Sequence, residues 1–114
     1  MSAKVFNPSS KSYSLTADAT APTPIKPAPI DTLTEYAGGE VKITNVGIYV
    51  AYISYGKTAA IATTNAVIPT DGNPQTVVTL LPGAETAFHL QDQSYFTAVS
   101  AAATKIIFQL GEGF

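Results

Sequence analysis

The sequence predicts an all-β protein, an antiparallel β-sandwich or barrel preceded by an extended, proline-rich N-terminal arm. Three observations lead there. Short stretches of period-2 alternation, rich in Val, Ile, Thr, Tyr and Phe, recur from residue 30 onward. Gly, Pro, Asn and Asp punctuate them every few residues, the spacing of a sandwich or barrel. No segment sustains a 3.6-residue apolar period.

Residues 1–35 read as the arm and residues 36–114 as the β domain. The opening NPSSKSYSLTAD is polar and turn-rich, although KSYSLTA alternates well enough for a short edge strand. APTPIKPAPI follows, with prolines at 22, 24, 27 and 29. Each proline fixes φ, removes an amide donor and pushes the residue before it toward extended backbone. The expected state is polyproline II or plain extended chain. Such a segment cannot supply a full hydrogen-bond ladder, so it lies on a surface or across a neighbour. A flexible linker would use Gly and Ser and would need a second domain, for which residues 1–15 are too few. The segment is therefore a stiffened strap with Ile25 and Ile30 as apolar contacts, and the sequence leaves open which surface lies beneath it.

The β domain then unfolds element by element. IDTLTEY alternates, and AGG at 37–39 turns the chain. EVKITNV places Val41 and Ile43 on one face and Lys42 and Thr44 on the other. After the NVG turn, IYVAYISYG is apolar on both faces, the pattern of a strand covered by the core on one side and by a second layer or a partner on the other. Residues 57–75 form a long connection ending in the TDGNP turn. Its AAIATTNAVIP portion is read as a short strand or a loop, because its threonines disfavour a helix. TVVTLL, ETAFHL, YFTAVS and TKIIFQL complete seven to nine strands, joined by PGA, QDQS and AAA.

Composition narrows the function classes. The chain has 114 residues, enough for one domain, and about 80 of them lie beyond the arm, enough for one modest core. Charged residues make up 12%, about half of the ~25% usual for soluble domains. A surface so poor in charge suits an assembly; it also suits a small β domain whose polar surface is Thr, Ser, Asn and Gln. There are six lysines, scattered along the chain, no arginine, and a net charge of −2. This argues against nucleic-acid binding, which draws on clustered basic residues. The absence of cysteine excludes disulfides, thiolate metal sites and a thiol nucleophile. The N-terminus lacks a signal-peptide core, and no apolar run reaches the ~20 residues of a membrane helix. The expectation is a soluble, cytoplasmically made chain with no membrane partner.

Chemistry finds little footing. His89 is the sole histidine, and a general base needs a nucleophile or carboxylate partner. With Phe88 inward, His89 would face outward as a surface or interface residue. The eight acidic residues form no calcium-loop spacing, and the glycines of PGAET and LGEGF have no phosphate-loop order. No catalytic residue, metal site or cofactor is expected. The aromatics point instead to contacts: Tyr49, Tyr52 and Tyr55 fall within seven residues, and adjacent Tyr95 and Phe96 must face opposite sides of a strand. Pro22, Pro24, Ile25, Pro27, Pro29, Ile30, Tyr49, Tyr52, Tyr55 and Tyr95 are the candidate partner-binding residues.

Five short patterns carry a family resemblance. They are I-x-N-x-G at Ile43–Gly47, A-Y-I-x-x-G at Ala51–Gly56, L-P-G-x-x-x-x-F at Leu81–Phe88, Y-F-x-A-V at Tyr95–Val99 and L-G-E-G at Leu110–Gly113. Over roughly residues 40–114 the chain resembles small virion proteins of tailed bacteriophages, of the capsid decoration (cement) type. The resemblance implies a β-sandwich or jelly-roll-like fold. It also implies a non-enzymatic structural role on the outer capsid surface, bridging major capsid protein subunits, and a homo-oligomer (dimer or trimer) is expected. A carbohydrate- or receptor-binding fibre or knob module, stacking sugars on exposed tyrosines, is the alternative. The strap lies outside the resemblance.

Overall fold

Two antiparallel sheets face each other in the computed structural model, which describes residues 7–8, 12–26, 40–89 and 95–112. The strands are β1 (Asn7–Pro8), β2 (Tyr13–Ala17), β3 (Glu40–Asn45), β4 (Ala51–Gly56), β5 (Val77–Leu80), β6 (Glu85–His89), β7 (Tyr95–Ser100) and β8 (Thr104–Glu112), with one helix, α1 (Ala59–Asn65), between β4 and β5. In the first sheet β1 and β2 share one edge of β8, which is followed by β3 and β6. The second sheet runs β5-β4-β7.

The pairings nest. β4 pairs with β5, β3 with β6 and β2 with β8, all antiparallel. Between β2 and β3 the strap crosses to the second sheet and lies along the outer edge of β7. Ile25 and Phe96 exchange two backbone hydrogen bonds of 2.8 Å, and the Ser100 N–H donates to the Asp18 carbonyl at 3.0 Å. Counting the strap as a rudimentary strand, the second sheet reads strap-β7-β4-β5. The chain is thus a long hairpin-like ribbon rolled into two four-membered layers, which is jelly-roll topology.

The strap therefore belongs to the sandwich in its described part, residues 18–26, and the surface beneath it is this chain's own β7. Pro22 and Pro24 have no N–H to give, so the strap contributes mainly acceptors. The Thr97 hydroxyl donates to the Pro22 carbonyl at 2.8 Å. Ile25 turns its side chain onto the core. The alternating KSYSLTA segment does form an edge strand, β2, in register with 104–108 of β8. The segments IDTLTEY, AGG and QDQS lie outside the described residues, as do Pro27, Pro29 and Ile30.

The core follows from alternation. Val41 and Ile43 of β3 are fully buried, as are Ile53, Phe96, Ile106 and Phe108, while Lys42 and Thr44 lie half-exposed on the other face. An aromatic chain stitches the layers together. Phe88 of the first sheet meets Tyr55 and Phe96 of the second edge to face, with ring centroids 5.2 and 5.7 Å apart, and Phe96 meets Phe108 of the first at 6.0 Å. Such pairs add about 0.5–1.5 kcal/mol each beyond the area they bury.

Two expectations change. IYVAYISYG becomes a strand only from Ala51, because residues 46–50 are drawn into a turn described below. The second layer over β4 is α1, in a segment read from sequence as a strand or loop. Isolated helices this short are not stable, so packing decides, and the propensity cost of threonine, a few tenths of a kcal/mol, does not. The Thr58 hydroxyl caps the helix by accepting from the Ile61 N–H at 3.2 Å, and Ser54 on β4 donates to the Ala62 carbonyl at 2.7 Å. Thr63 and Thr64 face solvent. The close seat requires Gly56: a Cβ there would lie 2.5 Å from Ile61 Cγ2 and 2.9 Å from the Ala62 nitrogen.

Gly56→Ala is accordingly expected to lower stability by about 1–3 kcal/mol, the cost of overpacking, read from urea midpoints. Adding Ile61→Ala should restore part of the loss and not all of it, since the helix backbone still stands in the way.

Candidate interaction surface

One end of the sandwich is organised around a single buried side chain. Asn45 ends β3 at a position where the alternation demands an apolar residue, and it is fully buried. Its Nδ2 donates to the Tyr49 carbonyl at 2.7 Å and the Leu80 carbonyl at 3.0 Å. Its Oδ1 accepts from the Gly47 N–H at 3.0 Å and the Thr104 hydroxyl at 2.8 Å. Its backbone N–H donates to the Ala84 carbonyl, and its own carbonyl accepts from the Gly83 N–H. Every donor and both side-chain lone-pair sites of this amide are used. Asn45 therefore ties the β3–β4 turn (residues 46–50), the β5–β6 turn (81–84) and the start of β8 into one unit.

Gly47 is part of the same arrangement. A Cβ on it would coincide with the Thr104 hydroxyl and lie 2.9 Å from the Lys105 nitrogen. The Ser100 hydroxyl donates to the Val50 carbonyl at 2.7 Å, which brings the β7–β8 turn (101–103) to the same end.

On this frame sit large apolar side chains that face solvent. Val46 is 55% exposed, Ile48 77%, Tyr49 45% and Leu81 58%. The two turns that carry them are held together, because one Asn45 nitrogen donates to the carbonyls of both Tyr49 and Leu80. Apolar residues concentrated on ordered turns, where polar residues would ordinarily stand, mark an interaction surface.

The candidate residues named from sequence do not gather in one place. Tyr49 belongs to the apolar end. Tyr52 is half-buried on the outer face of the second sheet, and Tyr55 packs into the aromatic chain. Tyr95 is half-buried, with the Lys26 ammonium 5.6 Å from its ring centroid. Pro22 and Pro24 are half-buried in the strap on β7, with Ile25 beside them against the core. The backbone of His89 ends β6 opposite Glu40; its side chain lies outside the described part of the structure. Sequence reasoning missed Asn45, Val46, Ile48 and Leu81. The available signals were a polar residue at a buried position of the alternation and apolar residues inside the NVG and LLPG turns.

Among the described residues no group of three or more His, Asp or Glu could hold a metal ion, and no helix is long and apolar enough to cross a membrane. The Lys42–Glu85 ion pair, at 3.9 Å, is partly solvent-exposed and of the kind that adds little to stability.

No family model matches the chain, and no curated protein matches it. Among solved structures, one described as "Bacillus endospore appendages form a novel family of disulfide-linked pili" aligns with 99% of this chain and 92% of its own, at 11% identity and a TM-score of 0.42. A likeness of that strength carries nothing over to this chain.

Asn45→Ala would orphan the Thr104 hydroxyl and the Gly47 amide and is expected to cost about 2–4 kcal/mol in chemical denaturation. Ile48→Ser, which changes only exposed surface, should stay within about 0.5 kcal/mol of the parent.

Proposed function

We propose that this chain is a non-catalytic structural protein of the virion, of the cement type. In this reading it decorates the outer surface of a tailed-phage capsid and bridges major capsid subunits. The observation that carries the docking role is the apolar end, where four large side chains stand exposed on turns fixed by Asn45. A rigid apolar surface loses little conformational entropy when it is covered, which suits a protein that must bind a preformed shell. The motif likeness over residues 40–114 names the class of assembly. The low charge and the absence of arginine support a contact made by apolar burial and backbone hydrogen bonds.

The placement of the tyrosines favours this reading over a sugar-binding module. Stacking platforms draw on several exposed rings on one face, and among the described residues Tyr49 is the one exposed ring at the apolar end. A carbohydrate- or receptor-binding module would nevertheless use that ring, and would bind glycans with no capsid present.

Binding to expanded capsids tests the proposal. Ile48→Asp and Leu81→Asp should each weaken capsid binding by about tenfold or more, with the thermal midpoint unchanged. Unaltered capsid binding by the double variant, or glycan binding that is lost on Tyr49→Ala, would overturn it. Copy number gives a second measure: hundreds per particle fit a shell-wide cement, a dozen or fewer a vertex or tail part.

A further inference from the structure

The edges of the two sheets are not equally defended. On the side where β2 runs into the strap, the chain itself crosses between the sheets, and Pro22 and Pro24 line the outer edge of the second sheet. Proline and charge on an edge strand prevent unwanted strand pairing. On the opposite side lie the edges of β5 and β6. β6 carries Glu85, which pairs with Lys42 of β3. β5 carries nothing of the kind. From Gly72 to Ala84 there is no charged residue, and β5 itself, VVTL, contains no proline.

The register identifies which backbone groups the β5 edge presents. Phe96 directs its N–H and C=O to Ile25, away from β4, and Ser100 directs its N–H to Asp18 in the same sense. Tyr55 and Ala51, opposite them on β4, therefore turn their own groups toward β5, as does Ile53 between them. Ile53 faces Val78 and Ala51 faces Leu80. Val78 and Leu80 thus satisfy β4, while the N–H and C=O of Val77 and Thr79 point outward. No strand among the described residues lies beyond them.

We propose that the outer edge of β5 is the contact between copies of this chain, pairing antiparallel with β5 of a second copy about a two-fold axis at Val78. Val77 then faces Thr79 of the partner subunit, and Thr79 faces Val77 of the partner subunit, giving four backbone hydrogen bonds at the seam. The two second sheets become one continuous sheet with a strap at each far edge. The choice of a second copy rests on charge. Like charges placed opposite each other destabilise strand pairs, and this self-pairing brings none together. The edge of β6 differs in carrying a charged side chain, that of Glu85. The proposal deepens the structural-module reading by supplying the contact within its homo-oligomer. It is tested in the pure protein, so its failure would leave capsid binding by the apolar end untouched.

Sedimentation equilibrium of the full chain decides the matter, with Thr79→Pro and Thr79→Lys alongside. Thr79→Pro removes an amide donor that β4 does not use, and Thr79→Lys adds an edge charge while keeping that donor. The parent should be dimeric at high-micromolar concentration. Each variant should raise the dimer dissociation constant roughly tenfold to a hundredfold while keeping a β-type circular dichroism spectrum. Hydrogen exchange at the Val77 and Thr79 amides should slow as protein concentration rises. A parent monomeric throughout, a dimer indifferent to a folded Thr79→Lys, or exchange independent of concentration would overturn the proposal.

Discussion

The buried amide of Asn45 is the constraint on which one whole end of the molecule depends. A carboxamide offers two donors and two acceptor sites, and leaving any of them unpaired in the interior costs about 1–3 kcal/mol. Here the four are distributed over three separate chain segments. No apolar residue could hold the carbonyls of Tyr49 and Leu80 side by side, and no smaller polar residue could span the distance to Thr104. The turn at 46–50 follows from this, and so does the late start of β4. Apolar side chains stand on these turns over a backbone that the Asn45 amide, the Ser100 hydroxyl and the Val46–Lys105 bond tie to the body of the sandwich.

Much of the fold was legible because alternation and turn chemistry act locally. YFTAVS and EVKITN report their strands almost to the residue, and KSYSLTA reports an edge strand despite its polar setting. The two-faced apolar character of IYVAYISYG called for a second layer or a partner, and α1 supplies a layer over β4. Its identity escaped because α1 is stabilised by contacts distant in sequence: the Ser54 hydroxyl, the bare surface at Gly56 and the Asn65 side chain that reaches the Tyr55 carbonyl. Propensity reads none of these. The candidate site was harder still. Size and hydroxyl single out tyrosine, yet they do not tell a ring packed against the core, as Tyr55 is, from one half-buried, as Tyr52 and Tyr95 are, or exposed, as Tyr49 is. Ile48 and Leu81 were passed over because a strand reading had already absorbed them.

The strap shows how one composition serves two ends. Its prolines make it a poor strand, able to accept hydrogen bonds and seldom to donate them. That is tolerable only at an edge, where one side of the ladder goes unused. The same deficiency leaves the outward side of the strap nearly inert to further pairing. Sheet extension is thus directed to the opposite side of the sandwich.

Loop-closure entropy favours one order of assembly for the nested pairing. β4 and β5 are joined by the shortest stretch of chain, β3 and β6 enclose them, the strap and β7 enclose those, and β2 and β8 come last. Each closure shortens the effective loop left for the next, so the outermost pairs cost far less entropy than their sequence separation implies. Within the N-terminal ribbon, β2 is held to β8 along its whole length, whereas the strap beyond it meets β7 through a few bonds only, the condition for opening locally at low free energy. The strap's departure would bare the edge of β7 while the inner hairpins and the Asn45 end stayed closed.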